Sequence, residues 1–213
     1  MKQTGTDINR MVLHGRAVHP PAFSHCNHEV EFFSFPISVS RLSGVSDQVN
    51  VMVSRPLLER CGWLERGEEL TVHGEVRTFN NRSGVGSRLV ISVFAKELIL
   101  EQGEDQNRLL LSGTLCKVPS LRSTPLGRTI CDMILAVNRR YGRADYLPCI
   151  AWGSLAHRCG CMEVGDQLRL TGRLQSRTYT KVSGDRSEER VAFEVSIMSL
   201  AAEVPTEKEE HTG

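Results

Sequence analysis

All three tyrosines of the 213-residue chain, Tyr141, Tyr146 and Tyr179, lie in its second half, with Trp152, one of two tryptophans. The chain is only 6% aromatic, so this concentration singles out one region. Arg139, Arg140, Arg143, Arg173 and Arg177 lie close by in sequence. Rings interleaved with guanidinium groups suit one chemistry in particular, the stacking of nucleic-acid bases and the pairing of phosphates. Every base has a π-face, so stacking holds any sequence, at about 1–3 kcal/mol per base. Arginine can track phosphates or lie over a ring as a cation. Tyr146 and Trp152 are six residues apart, so on one strand both face the same side. The competing reading of these two is partly buried packing; for any single arginine it is a plain surface role.

Other chemistries find no support. His25-Cys26-Asn27-His28 offers three metal-ligand types, but its spacing fits no ordinary zinc pattern and a second ligand pair is missing. Cys159-Gly160-Cys161 is not the C-x-x-C of redox motifs. Ser83-Gly84-Val85-Gly86 reads as a glycine-rich hairpin tip, not a phosphate cradle. Phosphate-loop, dinucleotide, nucleophile-elbow and paired-carboxylate motifs are all absent. We expect no catalytic residue, no metal and no cofactor, and a protein that is not an enzyme. Seven cysteines, an odd number, suit reduced thiols. No run of the sequence is long and apolar enough for a membrane span, and the first ten residues lack a signal peptide's apolar stretch. The expected compartment is the cytoplasm.

The net charge of +1 hides an asymmetry. Residues 9–104 carry 10 Lys and Arg against 11 Asp and Glu, while residues 107–204 carry 14 against 9. Only the second half is therefore expected to meet an anionic partner.

The elements that position these residues follow from an internal repeat. Asn9-Arg10-Met11-Val12-Leu13-His14-Gly15 returns as Asn107-Arg108-Leu109-Leu110-Leu111-Ser112-Gly113, an offset of 98. Residues 9–76 align without a gap to 107–174 with 17 identities in 68 positions, far above chance. Shared positions include Arg41/Arg139, Asp47/Asp145, Cys61/Cys159 and Gly74/Gly172. Each copy alternates apolar and polar residues in short β-branched runs, which predicts strands. A short helical segment falls between the third and fourth, at Leu57 to Leu64 and Ser154 to Met162. Polar hairpins are expected at Asn80 to Ser87 and Lys181 to Glu189. The fold class is all-β: two tandem five-stranded OB-fold barrels, each with a short helix between strands 3 and 4. Periodicity alone supports a generic small β-barrel equally well.

The second copy resembles the bacterial single-stranded DNA-binding protein family. The resemblance rests on Asn107 to Gly113, Pro119 to Gly127, Leu135-Ala136-Val137-Asn138-Arg139, Trp152-Gly153-Ser154-Leu155-Ala156 and Val164 to Tyr179, in family order. It implies sequence-independent binding of single-stranded DNA in replication, recombination and repair, without a small-molecule substrate and near the nucleoid. It implies that Tyr141, Tyr146, Trp152 and Tyr179 are the stacking rings. The first copy has Ser43, Gln48 and Ser54 at the first three of these sites, with Phe79 near the fourth as counterpart of Tyr179. The implied organisation is a diverged scaffold or assembly domain over 1–104, a DNA-binding domain over 105–204 and a short acidic tail over 205–213. Family members of one barrel commonly form tetramers, so a homodimer of this chain would present the same four barrels. A protein-interaction module of the replication machinery and an RNA-binding protein are the alternatives.

Overall fold

The computed structural model describes residues 7–81, 89–183 and 186–201, with side chains left aside at 178–183, 186 and 188–190. The expected hairpin tip at 82–87 and the tail at 205–213 lie outside the described residues.

The first half contains β1 (Asn9–Ala17), β2 (Ala22–Asn27), β3 (Val30–Ser40), β4 (Ser46–Ser54), helix α1 (Arg55–Cys61), β5 (Glu69–Asn80) and β6 (Leu89–Leu100). The second contains β7 (Gln106–Leu115), β8 (Ser120–Ser123), β9 (Thr129–Asn138), β10 (Ala144–Trp152), helix α2 (Ser154–Gly160), β11 (Gln167–Ser183) and β12 (Arg186–Leu200). Each half closes on itself. β1 pairs with β3 and β5, β3 with β4, and β5 with β6, and a short parallel pairing of β4 with β6 completes the ring. β7, β9, β10, β12 and β11 repeat this circuit. Five strands thus form each barrel, with the helix between the third and fourth, as the sequence predicts.

Alternation explains the core. In β3, Phe33, Phe35, Ile37 and Val39 point inward and are buried, while their neighbours stay partly exposed. β9 does the same with Cys131, Met133, Leu135 and Val137. The repeated glycines mark the tightest crossings. A Cβ at Gly15 would lie 2.3 Å from the Ser38 carbonyl oxygen, and one at Gly113 would lie 2.6 Å from that of Ala136. These are the points where β1 and β7 switch partners to close their barrels, and only glycine lets the backbones approach so closely.

Three features depart from the expectations. Short β2 and β8 add an edge strand beside each barrel, at the two ends of one continuous twelve-stranded sheet. The polar hairpin at Lys181 to Glu189 is largely ladder, since β11 and β12 stay paired out to Ser183 and Arg186. The offset of 98 also persists through β5. Val76 opposes Val93 as Leu174 opposes Val195, and Phe79 opposes Val90 as Arg177 opposes Ala192. Phe79 is therefore the counterpart of Arg177, not of Tyr179.

The halves are joined by antiparallel pairing of β1 with β7. Met11 opposes Leu109, its own repeat equivalent, so a pseudo-twofold axis passes through this pair. Side chains repeat the symmetry across the joint. Ser176 donates to the Asp47 carboxylate from its backbone N–H at 3.0 Å. Thr78 donates to Asp145 in the same way at 2.6 Å. Asp7 accepts from the Asn138 backbone at 2.7 Å, and its counterpart Asp105 accepts from Ser40 at 2.6 Å.

Candidate nucleic-acid interface

β10 sets one row of the site. Asp145, Leu147, Cys149 and Ala151 turn into the barrel, which leaves Tyr146, Pro148, Ile150 and Trp152 on the outer face. Tyr146 opposes Ala136 and Trp152 opposes Ile130 on β9. Tyr146 is 55% exposed and Trp152 38%, so neither ring is consumed by packing. Both project from the same side of one strand.

Tyr141 is held differently. It sits in a 3-10 turn, Arg140–Gly142, between β9 and β10, with φ 65° and ψ 34°. A non-glycine residue in the left-handed region carries a conformational cost of about 1–3 kcal/mol and persists only where its surroundings enforce it. Here the turn is clamped by the Arg139 backbone N–H donating to the Arg143 carbonyl at 2.7 Å. The ring is 97% exposed and makes no use of the core. Tyr179 lies on the far part of β11, opposite Arg190; its side chain falls outside the described residues.

The five arginines divide. Arg140 and Arg143 flank Tyr141 and are exposed. Arg177 is half-exposed, with Nε 3.1 Å from Glu194. Arg173 is half-buried on the outer side of β11; its Nη2 reaches Gln175 at 3.5 Å, and its buried Nε finds no partner among the described residues. Arg139 has a different task. Its Nε donates to Asp145 at 2.5 Å, and its Nη2 binds the other oxygen of that carboxylate. Arg77, from the first barrel, donates to the same carboxylate at 3.1 Å. Asp145 is fully buried. Burial pushes its carboxyl up, but Arg139, the Thr78 N–H and Arg77 together hold it below the usual range. Arg139 is thus a structural cation beneath the joint, and sequence proximity to Arg140 disguised it.

The ladder continues the face. Ile150 pairs with Ser196 and Ser196 with Arg173, which brings the outer sides of β10, β12 and β11 together. Beside Pro148 and Ile134 an open cleft of about 260 Å³ is edged by Lys117, Arg122 and Arg177. Sequence reasoning missed Lys117 and Arg122, because Pro119 to Gly127 carries the resemblance without an aromatic or a cluster of charge, and β8 with the loop before it brings both cations here from the edge of the sheet. Arg122 is held by Asp132 through a 2.5 Å contact from Nε. The face therefore combines three described aromatic rings with a discontinuous rim of cations.

The first barrel's equivalents of these rings, Ser43, Gln48 and Ser54, place no aromatic side chain at those sites. Phe79 is 39% exposed on β5. The remaining candidates do not assemble into a site. His25 stacks on Phe32, 5.1 Å between centroids, and Cys159 is buried on α2.

Comparison with known proteins places the second barrel and the whole fold. Residues 106–200 match the model of the "Single-strand binding protein family". A single-stranded DNA-binding protein of Clostridium tetani is 36% identical over 101 residues, covering 43% of this chain and 70% of its own. Single-stranded DNA-binding protein 1 of Clostridium acetobutylicum is 35% identical over 107 residues, 46% of this chain and 97% of its own. The crystal structure of the wild-type single-stranded DNA binding protein from Thermus aquaticus superposes with a TM-score of 0.75. It covers 98% of both chains at 24% identity, so the likeness in fold extends over both barrels. On the strength of its relatives and of the two barrels, the chain belongs to the single-strand binding protein family.

Proposed function

We propose that this chain binds single-stranded DNA without regard to base sequence, as a binder and not as an enzyme. The observation that carries this reading is the outer face of the second barrel. Tyr146 and Trp152 stand exposed in one row of β10, Tyr141 is thrust out by a left-handed turn, and Arg140 and Arg143 flank it. Rings at this spacing stack on successive bases, and exposed arginines offset phosphate charge. Tyr179 would extend the row along β11. Arg173 and Arg177 would line its side, with Lys117 and Arg122 at the cleft. The binding domain corresponds to residues 105–204, and residues 1–104 serve chiefly in assembly. The setting we infer is protection of exposed strands in replication, recombination and repair.

The same reading includes a homodimer presenting four barrels, formed mainly through the first. In support, Phe23 on the edge strand β2 is 60% exposed and Trp63 51% exposed, and both pack edge-on against Phe33. Apolar rings at an open sheet edge favour a partner of the same kind.

Titration of the purified chain with oligo(dT), an RNA of equal length and a duplex of equal length tests the proposal. Tight binding to the DNA strand and weak binding to duplex is expected. Preference for RNA would replace the substrate, and no binding to any of the three would favour an assembly module.

A further inference from the structure

We propose that Arg77, a residue of the first barrel, positions the Tyr141 turn of the second barrel for binding by bracing Asp145 across the joint. The inference rests on the single-strand binding proposed above. It gives the first barrel a share in that binding through position, without contact with the strand.

The observation that carries it is a break in the symmetry of the joint. Asp47 and Asp145 are repeat equivalents, and each anchors the base of a turn, β3 to β4 or β9 to β10. Asp47 is held by Arg41 of its own barrel and by the Ser176 N–H and hydroxyl of the other. Asp145 has the matching set, Arg139 with the Thr78 N–H and hydroxyl. It also has one donor more, Arg77 Nη1 at 3.1 Å. Arg77 opposes Ser92 in the ladder as Gln175 opposes Glu194, so Gln175 is its equivalent. Gln175 turns to Glu194 at 3.0 Å instead.

The extra donor falls at the corner under strain. Tyr141 is left-handed at φ 65°, whereas its equivalent Ser43 has no positive φ. Such a residue persists only where its surroundings over-determine it. Arg139 and Asp145 stand on either side of the turn, joined by a fork of two bonds. A bidentate pair of this kind fixes orientation as well as distance. Whatever holds the Asp145 carboxylate still therefore holds the base of the turn. The Arg77 side chain is 18% exposed and that of Asp145 is fully buried, so the brace is shielded from water. Glu75 grips the other end of the Arg77 guanidinium, and Lys96 faces Glu75 at 3.8 Å. A chain of alternating charges thus runs from the surface of the first barrel to the root of the Tyr141 turn.

The test compares the full-length wild-type chain with Arg77→Gln, which copies the equivalent residue of the second barrel. Labelling with fluorotyrosine gives a fluorine signal for each tyrosine, and Tyr141→Phe assigns the one from Tyr141. In the free Arg77→Gln chain that signal should shift or broaden while that of Tyr146 stays in place. Affinity for oligo(dT) should fall about three- to tenfold, no more than the loss of one stacked base. In a Tyr141→Ala chain the same substitution should change affinity little, because the ring it positions is gone. Arg77→Lys keeps a charge beside Asp145 and should bind close to wild type. Thr78→Val removes only the hydroxyl donor to Asp145. It should move the Tyr141 signal in the same direction, and it preserves the test if Arg77→Gln fails to fold. An unmoved Tyr141 signal overturns the positioning, as does an equal loss of affinity with and without Tyr141. A fall of about 0.7 in the log–log salt slope would mean that Arg77 meets a phosphate itself, and would overturn it too. Absence of binding by the wild-type chain, with the Tyr141 signal still moved by Arg77→Gln, would overturn the proposed function and not the brace.

Discussion

Met11 and Leu109 face each other across β1 and β7, and each is the other's repeat equivalent. The two barrels of one chain are thus related by an approximate twofold axis through this pair. The joint is an extended ladder reinforced at its flanks. Arg41 with Asp47, and Arg139 with Asp145, each put a buried carboxylate where the opposite barrel can donate to it. This explains why Arg41, Arg139, Asp47 and Asp145 recur in both copies. They hold the barrels together, and the second barrel's turn bearing Tyr141 springs from the same corner.

Stability should depend most on the aspartates. Removing one partner of a buried ion pair typically costs about 3–5 kcal/mol, because the other charge is left uncompensated. Asp145→Ala should reach that range, since it strands Arg139 and removes one of the two carboxylates paired with Arg77. Asp47→Ala should cost less, since it removes the partner of Arg41 alone. Urea unfolding of the two variants checks the order. Equal, small losses would mean that the joint is held by the strand ladder alone.

The same carboxylates set an acid limit. Burial pushes both up, but the arginine and backbone donors outweigh it and hold Asp47 and Asp145 below the usual range. A depressed folded-state pKa contributes stability above the unfolded value and loses it as pH falls through the folded one. Thermal stability should be flat above about pH 5 and fall below about pH 4, near the ordinary aspartate value. Asp145→Asn should flatten part of that decline. An unaltered acid profile in Asp145→Asn would remove Asp145 from this account.

Arginines that look alike in sequence should behave differently. Arg140→Ala and Arg143→Ala should leave unfolding unchanged and reduce the log–log salt slope of oligo(dT) binding by about 0.7 each, the value for one phosphate on a single strand. Arg139→Ala should lower stability and leave the slope nearly intact. A large slope change in Arg139→Ala with normal stability would return Arg139 to the binding surface.

These contrasts also show what the sequence could reveal. Strand alternation in Phe33 to Val39 and Ile130 to Val137 made the barrels legible, because inward positions there carry large apolar residues without interruption. Edge strand β2 was not legible, since every residue from Ala22 to Asn27 is exposed and no alternation marks it. The role of Arg139 was hidden because Asp145 is brought to it across a hairpin, although the recurrence of both residues in the two copies was a usable signal. Phe79 aligns with Tyr179 only if the extra residues of the second copy precede Arg177; the ladder shows that they lie beyond it.

Assembly has a direct readout. A homodimer of 23.8 kDa chains should give a light-scattering mass near 48 kDa. Phe23→Glu should shift that mass toward the single chain, because a charge would be buried at the proposed edge contact. A monomeric wild-type chain at micromolar concentration would rule the dimer out.

The central claim is that bases stack on the outer face of β10. The most direct measurement is the emission of Trp152 in a Trp63→Phe chain, which leaves one tryptophan. Trp63 packs against Phe33 in the first barrel, so phenylalanine keeps that contact aromatic. Saturation with oligo(dT), followed independently by anisotropy of a labelled strand, should quench Trp152 strongly. Trp152→Ala should weaken binding by about 1–3 kcal/mol. Full binding with Trp152 emission unchanged would contradict the account.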